Sequence, residues 1–284
     1  MTFIHKLLSC LLLLSCISTS VYGLPKRIIT LSSALTETVY ALGYGGAIVA
    51  TDVTSVSPAA AGALPKVSKN RSVSAEVLIA YQPDLILAPE GDVSAGIIRQ
   101  LKSAGIRFVT IKQIYSAKGA MSYVQAVAQA LGDSNKGKTL ASKLSKDMAE
   151  AQAAAQKNLK GRKPKVLFVY ARGTGTMSVA GKGSSLDAII ELSGARNAVQ
   201  EFADFKPYTT ESLVKANPDV ILMFDFGVSS LGGKDAVLKM PGMRVTEAGK
   251  NKRIIQMNGP LLINFSTRLP EAVAQLNKAI VASL

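Results

Sequence analysis

Short unbroken apolar runs punctuate the chain at residues 27–31, 48–50, 85–88, 107–111, 165–170, 220–224 and 253–257. Continuous runs of this kind, rather than strict apolar–polar alternation, mark parallel strands covered on both faces. Stretches with helical spacing separate most of them, which is the α/β pattern. Residues 35–42 are expected to form a helix entered through Ser32-Ser33 and stopped by Gly43. Residues 185–192 are its counterpart, entered through Ser184-Ser185 and stopped by Gly194.

The chain also repeats itself. "SAEVLIAYQPDLILAP", from Ser74 to Pro89, returns as "TTESLVKANPDVILMF", from Thr209 to Phe224. Glu76 aligns with Glu211, Leu78 with Leu213, and Pro83-Asp84 with Pro218-Asp219. A weaker echo links "SSALTETVYALG" to "SSLDAIIELSG". Two echoes in the same order predict two similar α/β lobes, and they are too few and too distant for a solenoid.

Between the echoes, residues 118–160 are rich in Ala, Lys, Gln and Leu, which favour helix, and Asp133-Ser134 forms a break and cap. Residues 134–159 hold no proline, and Gly137 falls in the first turn. At roughly 1.5 Å per residue this is a stiff strut of about 39 Å. The predicted fold is therefore α/β, with two similar lobes joined by one long rigid helix. The lobes are residues 24–117 and 161–284, and the connection is 118–160. A ligand cleft is expected between the carboxyl ends of their strands.

The first 23 residues, "MTFIHKLLSCLLLLSCISTSVYG", place Lys6 before an apolar run that ends in small residues. That is a secretory signal peptide, too short for a membrane span. A competing pattern, Leu13-Leu14-Ser15-Cys16, approximates a lipoprotein cleavage site with Cys16 as the lipidated residue. Strand-like sequence begins so soon afterwards, at Arg27, that full removal and a free periplasmic protein are expected.

The single histidine, His5, and both cysteines, Cys10 and Cys16, lie in this leader. Without them the common nucleophile–base arrangements are unavailable, as are histidine-based zinc or manganese sites. "GTGTMSVAGKGSS" fails as a phosphate loop, because Thr176 stands five residues before Gly181 and Gly183 follows Lys182. No enzyme activity and no catalytic cofactor are expected. Removing the leader lowers the formal charge from +14 by one lysine, 14 − 1 = +13. Such a balance suits an anionic lipid or an anionic small ligand, or simply a soluble surface. Export argues against nucleic acid.

Several stretches together carry a family resemblance: "RIITLSSALTETVYALG", "RSVSAEVLIAYQPDLILAPEG", "VLFVYARGTGTMSVAGKGSSLDAIIELSGARNA" and "LKMPGMRVTEAGKNKRIIQMNGPLLINFSTRLPEAV". In order and spacing the chain resembles the periplasmic substrate-binding proteins of ABC importers for iron complexes and cobalamin, those with a helical backbone between lobes. Within that class it is most similar to the haemin-binding proteins. The resemblance implies haem as the transported ligand, delivery to an ABC permease in the inner membrane, and a monomer. A receptor of the same fold for a ferric siderophore or cobalamin is the alternative. The resemblance also implies that an acidic residue on each lobe's rim docks onto basic residues of the permease, which nominates Glu76 and Glu211. Both also fit a plainer role, complementing the dipole at a helix start.

Haem iron is held by His, Cys, Met or Tyr, and the lack of histidine leaves tyrosine or methionine. Haemin-binding relatives carry a tyrosine in a Gly-Tyr-x-Arg setting before the Ser-Ala-Glu helix; here that setting reads Ser68-Lys69-Asn70-Arg71. Where many relatives place a histidine after the second lobe's first strand, this chain reads Tyr170-Ala171-Arg172. Tyr170 is the candidate iron ligand, and Arg172 nearby would favour its phenolate. An ordinary strand-end tyrosine is the alternative. Arg71, Arg172 and Lys69 are candidate partners for ligand carboxylates, or else solvated surface cations. Tyr115 and Tyr208 are expected to line the cleft, and Phe226 to stack on a flat macrocycle. The loops at 89–92 and 224–233 are expected to face the ligand from opposite lobes, with Tyr40 and Tyr81 in the core.

Overall fold

The structure, a computed structural model, describes residues 23–70, 72–173, 178–207 and 209–284. Residues 1–22 of the expected leader, Arg71 and Tyr208 lie outside the described residues.

The N-terminal lobe is a parallel sheet of β1 (Ile28–Thr30), β2 (Ile48–Thr51), β3 (Leu85–Pro89) and β4 (Arg107–Ile111), in the order β2-β1-β3-β4. Alternate strand residues face opposite sides. Ile28, Leu85 and Leu87 pack under helix α1 (Ser33–Ala41), whereas Ile29, Ile86 and Ala88 pack against helix α2 (Ala75–Ala80) and its neighbours. Both faces are buried, which is why the strands read as continuous apolar runs. Tyr40 and Tyr81 are partly buried against these two clusters.

The connection is a pair of helices, α3 (Ala117–Leu131) and α4 (Ser134–Leu159), and α4 spans the residues expected of the strut. The break falls at Gly132, whose positive φ of 85° ends α3, and at Asp133, whose carboxylate accepts from Lys136 N–H at 3.1 Å to start α4. Both helices serve both lobes. Ala120 and Val124 of α3 join the C-terminal core while Val127 and Leu131 join the N-terminal one. Leu144 and Met148 of α4 complete the C-terminal core. Asn277, buried on a later helix, ties down the far end by donating to Ala155 O and Ser193 O, each at 3.1 Å.

The C-terminal lobe repeats the first. Strands β5 (Lys165–Tyr170), β7 (Arg196–Asn197), β9 (Val220–Phe224) and β10 (Ile254–Met257) pair in parallel as β7-β5-β9-β10, the same order as β2-β1-β3-β4. Helices α5 (Ser185–Leu192) and α6 (Thr210–Ala216) match α1 and α2. Gly43 and Gly194, at φ +83° and +84°, follow α1 and α5 in the left-handed conformation open to glycine. Two short strands, β6 (Ser178–Ala180) and β8 (Phe205–Pro207), extend this sheet antiparallel and have no counterpart in the first lobe.

One expectation is corrected. Residues 224–233 are not a plain loop, because Asp225–Ser230 forms helix α7 directly after β9. Among the described residues no helix is long and apolar enough to cross a membrane.

Candidate functional site

A cleft of about 700 Å³ opens between the lobes, and its walls follow the carboxyl ends of the strands. Ser33 and Ala34 follow β1, Glu90 and Asp92 follow β3, and Lys112, Gln113 and Tyr115 follow β4. From the other lobe come Tyr170 at the end of β5, Phe224 and Phe226 after β9, and Asn264 after helix α8 (Gly259–Ile263). This is where open α/β sheets place their ligands.

The C-terminal wall is aromatic. The Tyr170 ring stands edge-on to Phe224 at 6.4 Å and to Phe226 at 5.7 Å, with Phe168 beneath Phe224 at 4.7 Å. Tyr170 is partly buried, and Phe226 is 46% exposed. On the opposite wall Tyr115 is 42% exposed and braced by an edge contact at 5.3 Å to Phe265, which belongs to the other lobe. Two phenols and two phenyl rings thus line one open space, a surface suited to a flat aromatic ligand.

The N-terminal wall is held by a hydrogen-bond chain. Asp52 accepts from the Thr54 and Ser55 hydroxyls, both at 2.5 Å, and Thr54 Oγ1 accepts from Ser33 N–H at 3.2 Å. This fixes Thr54 and Ser33 at the cleft surface. At the floor the lobes touch: Asn264 Nδ2 donates to Ser33 Oγ at 3.0 Å, and Gln113 Nε2 donates to Asn264 O.

The residues nominated from sequence divide. Tyr170, Tyr115 and Phe226 come together in the cleft. Lys69 and Arg172 are exposed and stand outside the described lining. Arg71 and Tyr208 are outside the described residues. The charged side chains of the described lining are Glu90, Asp92 and Lys112, so the cleft is less cationic than the sequence suggested. Lys112 and Gln113 were missed although a signal existed: they follow an apolar run directly, just as Tyr170 closes one. Asn264 carried no such signal.

Glu76 and Glu211 occupy matched exposed positions in the first turns of α2 and α6. Ser74 Oγ accepts from Val77 N–H at 3.3 Å, and Thr209 Oγ1 from Ser212 N–H at 3.1 Å, so these hydroxyls cap the helices. Hydrogen bonds from its own backbone N–H and from Ser74 hold the Glu76 carboxyl below its ordinary range. It is a settled anion on an open rim.

The family model for periplasmic binding proteins matches residues 28–261. The chain belongs to the periplasmic binding protein family. It is a substrate-binding protein. In fold it is similar to the periplasmic heme-binding protein RhuT from Roseiflexus sp. RS-1, with 32% identity, a TM-score of 0.86, and coverage of 91% of this chain and 98% of that one. It is similar also to the periplasmic heme-binding protein BhuT in complex with two hemes, with 36% identity, a TM-score of 0.85 and the same coverage. By sequence it matches a vitamin B12-binding protein of Photorhabdus laumondii at 26% identity, over 76% of this chain and 77% of that protein.

Proposed function

We propose that this protein captures haem between its lobes in the periplasm and hands it to an ABC permease. The carrying observation is the aromatic C-terminal wall, with the Tyr170 phenol set among Phe224 and Phe226 in a cleft of about 700 Å³. A macrocycle lying against those rings would bring its iron within reach of a phenol from either lobe, Tyr170 or Tyr115. A phenolate is a suitable ligand for ferric haem. The likeness to two heme-binding proteins at 32% and 36% identity, each over 91% of this chain, supports haem as the cargo. Lys112, with the serine wall, would receive one ligand carboxylate.

Glu76 and Glu211 are the docking anions, one per lobe. Their matched exposure supports this, because rim charges steer and orient an encounter more than they tighten it. Residues 1–23 act as the export signal.

Cobalamin is the second reading, and one observation favours it. With Lys69 and Arg172 outside the described lining, Lys112 shares the cleft wall with Glu90 and Asp92, and carboxylates accept from amide donors. Titration of the purified protein with haemin, followed by visible absorption, tests the choice. A saturable shift to a tyrosinate-bound ferric spectrum supports haem; no shift, with binding of cyanocobalamin, replaces it.

A further inference from the structure

Ser33 and Glu37 lie one turn apart on α1, so their side chains share a face. That face meets the C-terminal lobe. Asn264 Nδ2 donates to Ser33 Oγ at 3.0 Å, and Arg268 Nη1 stands 3.7 Å from Glu37 Oε1. The Glu37 side chain is only 4% exposed, yet its Oε1 has no hydrogen-bond partner among the described residues. Arg268 is already occupied: its Nε and Nη2 donate to Glu271 as a two-pronged pair, both at 2.8 Å.

A buried carboxylate served this thinly adds little to stability, because desolvation outweighs a long ion pair. Burial raises the carboxyl above its ordinary range; Asn264 and Arg268 oppose this, and Glu271 adds to it. On the N-terminal side the facing titratable group is Tyr123 of α3, itself raised by burial. The charge does, however, touch what shapes the cleft. Asn264 lines the cleft and accepts from Gln113, and Arg268 stands just before helix α9 (Leu269–Ser283).

We propose that Glu37 is a positioning residue for the ligand cleft: through Asn264 and Arg268 its carboxylate sets the spacing of the two lobes. The charge fixes geometry rather than stability. This rests on the cleft being the binding site but not on haem being its occupant.

Residues 24–284 contain no cysteine, so one spin label can be placed on each lobe through Lys102→Cys and Lys234→Cys, both exposed sites. Pulsed electron resonance then reads the interlobe distance without ligand. With Glu37 present, the expected distribution is narrow while its carboxyl is ionised and broadens on acidification. In Glu37→Gln it is broad at every pH, while the melting temperature is unchanged or raised. Equal widths in the two proteins overturn the proposal, as does broadening that comes only with a fall in melting temperature. Haemin titration of the same samples separates the two claims. Broadening without haemin binding sinks the haem reading alone, and haemin binding with equal widths sinks the positioning role alone.

Discussion

Asp84 and Asp219 hold the same place in the two lobes. Asp84 accepts from the backbone N–H of Lys26 at 2.7 Å and of Arg27 at 3.2 Å, while Asp219 accepts from Lys165 N–H at 2.8 Å. Each aspartate precedes the central strand, β3 or β9, and ties down the start of its neighbour, β1 or β5. The repeated Pro-Asp pair is therefore a register device, used once per sheet. Asp219→Ala leaves a partly buried N–H unpaired and is expected to cost about 1–3 kcal/mol, with Asp84→Ala nearer the lower end because its surroundings are exposed. Urea unfolding of the two variants measures both, and a cost near zero at Asp219 would reject the register role.

The aromatic wall makes a separable prediction. Tyr170→Phe keeps the ring contacts with Phe224 and Phe226 but removes the phenol oxygen. It should abolish the tyrosinate absorption of the haemin complex and weaken binding by about tenfold or more, the equivalent of ~1.4 kcal/mol. Tyr115→Phe, across the cleft, should keep the absorption band. A spectrum lost in Tyr115→Phe and kept in Tyr170→Phe would move the iron ligand to the N-terminal lobe.

Docking is predicted to be independent of capture. Glu76→Lys and Glu211→Lys reverse exposed charges beyond the cleft lining, so the ligand dissociation constant should not change. Uptake through the permease should fall steeply, most of all in the double variant, because opposed rim charges govern encounter and orientation. Unimpaired uptake by the double variant in a transport assay would remove both residues from the interface.

Much of this fold was legible because the strands are buried on both faces. Residues 107–111, 165–170 and 220–224 are strands with the limits their apolar runs set. The helix at Asp225–Ser230 was not legible, because Gly227 looks like loop punctuation. In the structure Gly227 serves close approach: a Cβ there would sit 3.2 Å from Ala171 O, tighter than an ordinary contact, so glycine lets the helix pass against the end of β5 without a shift. Strands β6 and β8 were missed because three residues give no period to read. Tyr170 was found by its place at a strand end. Glu37 was not, since a glutamate on a helix reads as surface, and the groups that bury it lie more than 200 residues away in the other lobe, at Asn264 and Arg268.

That buried glutamate also shapes the response to pH. Its carboxyl is raised from the ordinary 4.5, chiefly by burial, so the folded protein holds this proton more tightly than the unfolded chain does. Between 4.5 and the raised value the folded state binds more protons, and stability must fall as pH rises across that window. Above the window the loss is constant; below 4.5 it vanishes. Glu271 behaves oppositely, since Arg268 holds it below its ordinary value, and its contribution is present above 4.5 and lost as pH falls through the lowered value. Subtracting the Glu37→Gln curve from that of the parent isolates the first effect. Unfolding free energies measured from pH 4 to 8 should show the parent losing ground to Glu37→Gln as pH rises above 4.5, with a plateau once the raised value is passed. Parallel curves would mean that the carboxyl titrates alike in folded and unfolded chains, and that its burial carries no electrostatic penalty.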